Sequence, residues 1–228
     1  MAKKVLISVS DKKNILEMAS FLKERNYEIF STGGTYREIK KNNISVNLIE
    51  DYTQSKEIMN GRVKTIHPKI FSGILADKKN QSHLNDLKDI NGFAFDIIIV
   101  NLYPFLEQAI EKKLDDKEAI EFIDIGGPSL LRAAAKNFES VVVLSNPNQY
   151  ESFINEYNKY DGVVNYSFRK KLSIEVFRLT SKYDQLIANY LSNDENILPE
   201  FINLDLKVSE RLRYGENPHQ KSAFYKQI

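Results

Sequence analysis

Four consecutive β-branched residues, Ile97-Ile98-Ile99-Val100, constrain this chain more than any other feature. Such a run favours extended backbone and leaves no polar face for solvent, so it reads as a strand buried on both sides. Strands of that kind belong to parallel sheets, whose helical crossovers cover both faces. Comparable runs recur at Val5-Leu6-Ile7-Ser8-Val9, Tyr27 to Phe30 and Val141 to Leu144, and a further strand is expected from Ile44 through Ile49. Between them the apolar spacing turns helical. Ile15, Met18, Ala19 and Leu22 mark one helix, with Ser10-Asp11 offered as its caps, and another follows the Ser31–Thr35 turn and runs to about Lys41. The alternation predicts an α/β domain with a mostly parallel sheet flanked by helices.

The last third changes character. Phe168, Leu172, Val176, Leu179, Tyr183, Leu186 and Tyr190 recur at spacings of three and four, the stripe of a long amphipathic helix. That stripe either packs on the first domain or makes a dimer contact. Ser192 to Glu200 reads as a linker, and Leu204 to Ile228 as a short strand or extended tail. The expected division is therefore 1–195, including a helical extension, and 196–228.

Composition narrows the chemistry. A formal charge of +1 supplies no bulk attraction to nucleic acid or acidic membrane. The absence of cysteine removes disulfides, thiolate nucleophiles and cysteine-zinc sites. The three histidines, His67, His83 and His219, show no metal-binding spacing, so no metal site is expected. No apolar signal segment precedes the first strand and no stretch reaches membrane-spanning length, which makes a cytoplasmic protein the expectation.

Ligands of parallel sheets bind beyond the carboxyl ends of the strands, and there the polar residues gather. Ser8, Ser10 and Lys12 follow the first strand. Ser31-Thr32-Gly33-Gly34-Thr35 follows the second, where glycines allow close backbone approach and helix-start amides can hold a phosphate. The turn is neither a P-loop nor a dinucleotide fingerprint, and a purely structural turn is the alternative. Asn101-Leu102-Tyr103-Pro104-Phe105 ends the Ile97 strand, with Tyr103 either a structural ring or a donor to a substrate carbonyl. Asn60-Gly61-Arg62-Val63-Lys64-Thr65-Ile66-His67-Pro68 places polar side chains at alternate positions. If extended, the segment presents them to one small anionic ligand; the alternative is a solvated basic loop. Ile123 to Asn137 carries Asp124 before a Gly-Gly turn, where a buried carboxylate needs partners, and Lys136 about two turns below Pro128, which either reaches a ligand or snorkels to solvent.

Taken together and in this order, Ser8 to Lys12, Ser31 to Thr35, Gly61 to Pro68, Asn101 to Phe105 and Ile123 to Asn137 closely resemble the inosine monophosphate cyclohydrolase domain of the bifunctional purine-biosynthesis proteins, over roughly residues 3–195. Thr32 stands where that family often has serine or alanine. The resemblance implies a methylglyoxal-synthase-like fold and closure of the purine ring. The substrate would be 5-formamidoimidazole-4-carboxamide ribonucleotide and the products inosine monophosphate and water, with no cofactor or metal for this step. It implies Lys64, Tyr103, Asp124 and Lys136 as catalytic residues. Arg62, Thr65 and Asn101 would position the base and carboxamide, and Ser10, Lys12, Ser31, Gly34 and Thr35 would bind the 5′-phosphate. Arg213 to Gln220 resembles the start of the family's formyltransferase domain, which uses 10-formyltetrahydrofolate. The chain is thus expected to be a truncated form lacking formyl transfer. A homodimer is left open. Two rivals share the fold: methylglyoxal synthase, against which the Arg62–Pro68 and Asn101–Phe105 segments argue, and a non-catalytic nucleotide sensor, against which the joint presence of the four catalytic candidates argues.

Overall fold

The computed structural model describes residues 2–192, 202 and 204–227. Elements follow in the order β1 (Lys4–Ser8), α1 (Ile15–Glu24), β2 (Glu28–Ser31), α2 (Gly33–Lys41), β3 (Asn47–Leu48), α3 (Ile49–Thr53), α4 (Pro68–Leu75), α5 (Gln81–Asp89), β4 (Ile97–Val100), α6 (Asp116–Ala119), α7 (Gly126–Lys136), β5 (Val142–Leu144), α8 (Tyr150–Lys159), α9 (Tyr166–Leu191), β6 (Leu206–Leu212) and β7 (Ser222–Gln227). The chain divides into two units, Met1–Ile187 and Ala188–Ile228. The change falls inside α9, ahead of the expected boundary; residues 195 and 196 and nearly all of the Ser192–Glu200 linker lie outside the described residues.

The first unit is the expected α/β domain. Its sheet has the order β3-β2-β1-β4-β5, every pairing parallel. Val5, Leu6, Ile7 and Ser8 pair with Ile97, Ile98, Ile99 and Val100, so the two most apolar runs lie side by side. Leu6, Ile7, Ile98 and Ile99 are fully buried, and a buried aliphatic side chain of this size contributes about 1.5–3 kcal/mol. The chain winds outward from β1 to β3 and then returns to place β4 on the other side of β1. That reversal creates a crevice between the carboxyl ends of β1 and β4, the usual ligand position in such a sheet.

Three expectations change. The strand foreseen from Ile44 through Ile49 shrinks to Asn47–Leu48, because Asn43 turns the chain at φ 59° and the fully buried Ile49 already opens α3. Ser10 and Asp11 do not cap α1. The helix starts after Asn14, itself at φ 58°, while the Ser10 hydroxyl is drawn across to the β4 side. The stretch from Leu204 is more than one strand: β6 and β7 form an antiparallel hairpin, joined through Arg213–Lys221, with a bulge between Val208 and Glu210. The long helix does appear as α9. Leu172 and Val176 enter the core of the first unit and Phe168 and Leu179 pack against it, which decides the use of this part of the stripe. Among the described residues no helix is long and apolar enough to cross a membrane.

Candidate active site at the switch point of the sheet

Local chemistry explains how the residues expected to bind phosphate are held. β2 ends at Ser31, whose hydroxyl donates to the Ile7 carbonyl at 2.7 Å inside the sheet. Thr35, in the first turn of α2, is buried; its hydroxyl donates to the Val9 carbonyl at 2.9 Å and accepts the Val9 N–H at 3.1 Å. Both hydroxyls therefore shape the turn rather than point into the crevice. What the turn offers a ligand is backbone: Gly33 adopts φ +42°, and the amides of a first helical turn lack intrahelical partners. A methyl on Gly34 would lie 3.9 Å from Lys12 Nζ, so the lysine sits over this helix start. Lys12 Nζ donates to the Ser10 carbonyl at 3.3 Å.

Asn101 straps the crevice. Its Oδ1 accepts the Ser10 N–H at 2.7 Å, the Ser10 hydroxyl at 3.0 Å and the Asp11 N–H at 3.1 Å, while its Nδ2 donates to the Asp11 carbonyl at 2.8 Å. The Ser10 hydroxyl also lies 2.8 Å from the Leu102 carbonyl. The loop after β1 is thereby tied to the loop after β4.

Asp124 follows directly. Its Oδ1 accepts the Gly127 N–H at 2.8 Å at the start of α7, and the amides of Tyr103 and Gly126 also favour its charged form. Burial outweighs them and holds the Asp124 carboxyl above its ordinary value. Gly127 is required for this grip, since a Cβ there would lie 2.3 Å from Asp124 Oδ2. The main-chain N–H of Asp124 donates to the Tyr183 hydroxyl at 2.8 Å. Tyr103 itself is 48% exposed, its ring 6.2 Å from that of Phe122, so its hydroxyl stands at an open face beside the buried carboxylate.

The Asn60–Pro68 segment is not extended. Met59, Asn60 and Gly61 have φ of 54°, 53° and 93°, and the resulting reversal closes an isolated antiparallel bridge between Ile58 and Val63. Alternate side chains therefore do not share a strand face. Arg62 pairs with Glu121, and Lys64 Nζ lies 3.0 Å from Glu57 Oε2. Exposed pairs of this kind contribute little stability, so both cations can be released to a ligand. Thr65 is buried, and a methyl on Gly126 would meet Thr65 Oγ1 at 3.1 Å and Asp124 Oδ1 at 4.0 Å. Thr65 and Asp124 thus converge on Gly126, with Lys64 adjacent in the chain. His67 caps α4: its Nδ1 accepts the Lys69 N–H at 3.2 Å, with Pro68 in the first turn.

Contacts run from Ser10 through Asn101, Leu102 and Tyr103 to Asp124, and Thr65 stands beside Gly126 next to it. Lys136 is not brought to this group within one chain. It is exposed in the last turn of α7, ten residues beyond Gly126, about 15 Å at the helical rise. A helix connecting two parallel strands runs back along the sheet, so its far end lies at the opposite sheet edge. That signal was present in the sequence. Glu57 and Glu121, the partners of the two cations, were missed because isolated acidic residues look like solvated surface. Among the described residues no cluster of three or more acidic or histidine side chains is suited to a metal ion.

The MGS-like domain family matches residues 14–129, just over half of the chain. The chain belongs to the MGS-like domain family. A second family, the AICARFT/IMPCHase bienzyme, matches residues 134–228. The bifunctional purine biosynthesis protein PurH of Clostridium perfringens is 48% identical over 225 residues, covering 99% of this chain and 44% of that protein. PurH of Fusobacterium nucleatum is 49% identical with the same coverage. The crystal structure of ForH superimposes with a TM-score of 0.72 at 30% identity, covering 83% of this chain and 96% of that one. This MGS-like domain is related to the cyclohydrolase part of PurH, as its motifs implied. It spans less than half the length of the PurH relatives.

Proposed function

We propose that the chain is an inosine monophosphate cyclohydrolase, closing 5-formamidoimidazole-4-carboxamide ribonucleotide to inosine monophosphate and water. The observation that carries this reading is the Asp124 carboxylate, desolvated yet gripped by backbone amides, next to Tyr103 and Thr65 and strapped through Asn101 to a turn fit for phosphate. The PurH relationship along 99% of the chain supports the same substrate class.

An amide nitrogen is a weak nucleophile because its lone pair is delocalised. Ring closure needs the carboxamide held against the formyl carbon, a proton taken from its nitrogen, and charge on the formyl oxygen stabilised. Asp124 accepts the carboxamide N–H and orients it. Lys64 and Tyr103 form the proton-transfer pair, with Lys64 leaving Glu57 to meet the substrate. The nitrogen–carbon bond forms as the formyl oxygen becomes a hydroxyl. That hydroxyl then departs with a proton as water, and the former formamide nitrogen gives up its N–H to complete the carbon–nitrogen double bond. Arg62 and Thr65 position the base, and Asn101 holds the loop that faces it. The α2 amides at Gly33 and Gly34, with Lys12, take the 5′-phosphate. Ser10, Ser31 and Thr35 act there by shaping the turn. Lys136 has no part in this reading of a single chain. No cofactor or metal enters the proposed step.

The test is to mix the purified chain with the formamido ribonucleotide, without folate or metal, and follow inosine monophosphate by absorbance and chromatography. Enzyme-dependent product is expected. Folded protein that binds the ribonucleotide without converting it would overturn the cyclohydrolase reading in favour of a sensor.

A further inference from the structure

We infer that Tyr183 is a positioning residue for Asp124, set by α9 to fix the carboxylate turn in register with the Tyr103 segment. The inference rests on the role proposed for Asp124 above. The Tyr183 hydroxyl accepts the Asp124 main-chain N–H at 2.8 Å and donates to the Phe122 carbonyl at 3.5 Å. Its ring meets Phe105 edge-on, with centroids 6.3 Å apart. One side chain therefore touches both segments that carry the reacting groups: 122–124 through its oxygen and 103–105 through its ring.

Packing alone does not require a tyrosine here. Position 183 lies on the apolar stripe of α9, and a phenylalanine would fill it equally well. The hydroxyl answers a different need. An unpaired N–H at Asp124 would be costly in this partly buried turn and would loosen the backbone from which the carboxyl group projects. Burial pushes the Tyr183 phenol up to about 12, so it stays protonated and can accept one hydrogen bond while donating another. Asp124 and Asp184 are the charged groups that bear on it. Tyr183 also lies beyond residues 14–129, the part matching the MGS-like family. The α9 extension thus contributes to the site as well as to the core.

Tyr183→Phe in the full chain isolates the hydroxyl. For ring closure we expect kcat to fall roughly ten- to a hundredfold, the scale on which small misplacements act. The KM for the ribonucleotide should stay unchanged, because the phosphate turn rests on other elements. The Asp124 carboxyl, followed by carbon NMR and assigned with Asp124→Asn, should titrate lower in the variant as the loosened turn admits water. Wild-type kcat together with an unmoved carboxyl titration would overturn the inference. The titration separates the two ideas: a wild-type chain that closes no ring defeats the proposed function, while the carboxyl shift still decides whether Tyr183 positions Asp124. Should Tyr183→Phe fail to unfold cooperatively, hydrogen exchange in the wild type decides. A slowly exchanging Asp124 amide supports the bond, and one exchanging at the free-peptide rate rejects it.

Discussion

The two sides of the crevice solve the same problem by opposite means. On the β1–β2 side the polar side chains are already spent: Ser31 bonds to Ile7 and Thr35 to both polar groups of Val9. What remains for a ligand is backbone amide, with Lys12 and Arg37 beside Gly34. On the β4–α7 side the backbone is spent instead, with the amides of Tyr103, Gly126 and Gly127 turned on Asp124, and the side chains of Tyr103, Asp124 and Lys64 remain for chemistry. In the proposed reaction the phosphate is the same in substrate and product, so a rigid amide cradle suits it. Proton transfer needs groups that change charge, and these sit on loops and on an exposed ion pair. Substitutions on the first side should therefore disturb folding and binding, and on the second side turnover.

Lys64→Ala should give the largest effect, a fall in kcat of about 10²–10⁴ as for loss of a proton-transfer group. Its melting temperature should stay within about 2 °C, since the pair with Glu57 is exposed. Full turnover by this variant would erase the distinction between the sides.

Asp124→Asn should lower kcat by about 10² without lowering the melting temperature at neutral pH. The sign follows from burial. The folded value of Asp124 is raised above the unfolded one, so its contribution to stability is present at pH below the unfolded value and is lost as pH rises through the folded value. At neutral pH the ionised group opposes folding, and the amide removes that opposition while still accepting the Gly127 N–H. Thermal melts at neutral and acid pH check this: a variant less stable at neutral pH would show that the carboxylate is structural.

Thr35→Val belongs to the other side. It strips the Val9 N–H of its acceptor, which costs about 1–3 kcal/mol, or roughly 2–4 °C of melting temperature per kcal/mol in a chain of this size. The KM for the ribonucleotide should rise as the turn relaxes. An unchanged melting temperature would show that the hydroxyl serves the ligand instead.

His67→Asn should have the smallest effect. Burial and Lys69 lower the His67 value in the fold, so its stability contribution erodes as pH falls through the ordinary histidine value toward the folded one. Asparagine caps a helix without titrating, so the slope of stability against pH should flatten between about 6.5 and the lower value. A slope that stays would place the titration elsewhere.

The sheet was legible because parallel strands advertise themselves: Ile97 to Val100 has no polar residue to spare for solvent. The demand that a carboxylate between Ile123 and Ile125 find partners was equally readable, although their identity as amides was not. The loop before Lys64 was legible only in part. Asn60-Gly61 is a turn dipeptide whose two residues both tolerate a positive φ, but Met59, which gives no such sign, adopts one too, and an alternating pattern says nothing when the backbone beneath it reverses. Ser31 and Thr35 were recognisable as part of the turn, but hydroxyls facing inward and outward look alike in a sequence.

The Asn101 strap has a consequence for how the protein comes into being. It joins residues 91 positions apart in the chain, through an amide that accepts three hydrogen bonds and donates a fourth. Aspartate lacks the donor, serine is too short, and glutamine is too long to bond two neighbouring amides from the same place. During synthesis Thr35 can hold Val9 early, but Ser10 and Asp11 gain this tie only once β4 has emerged and paired. The two sides of the crevice are therefore joined only after Asn101 has been made.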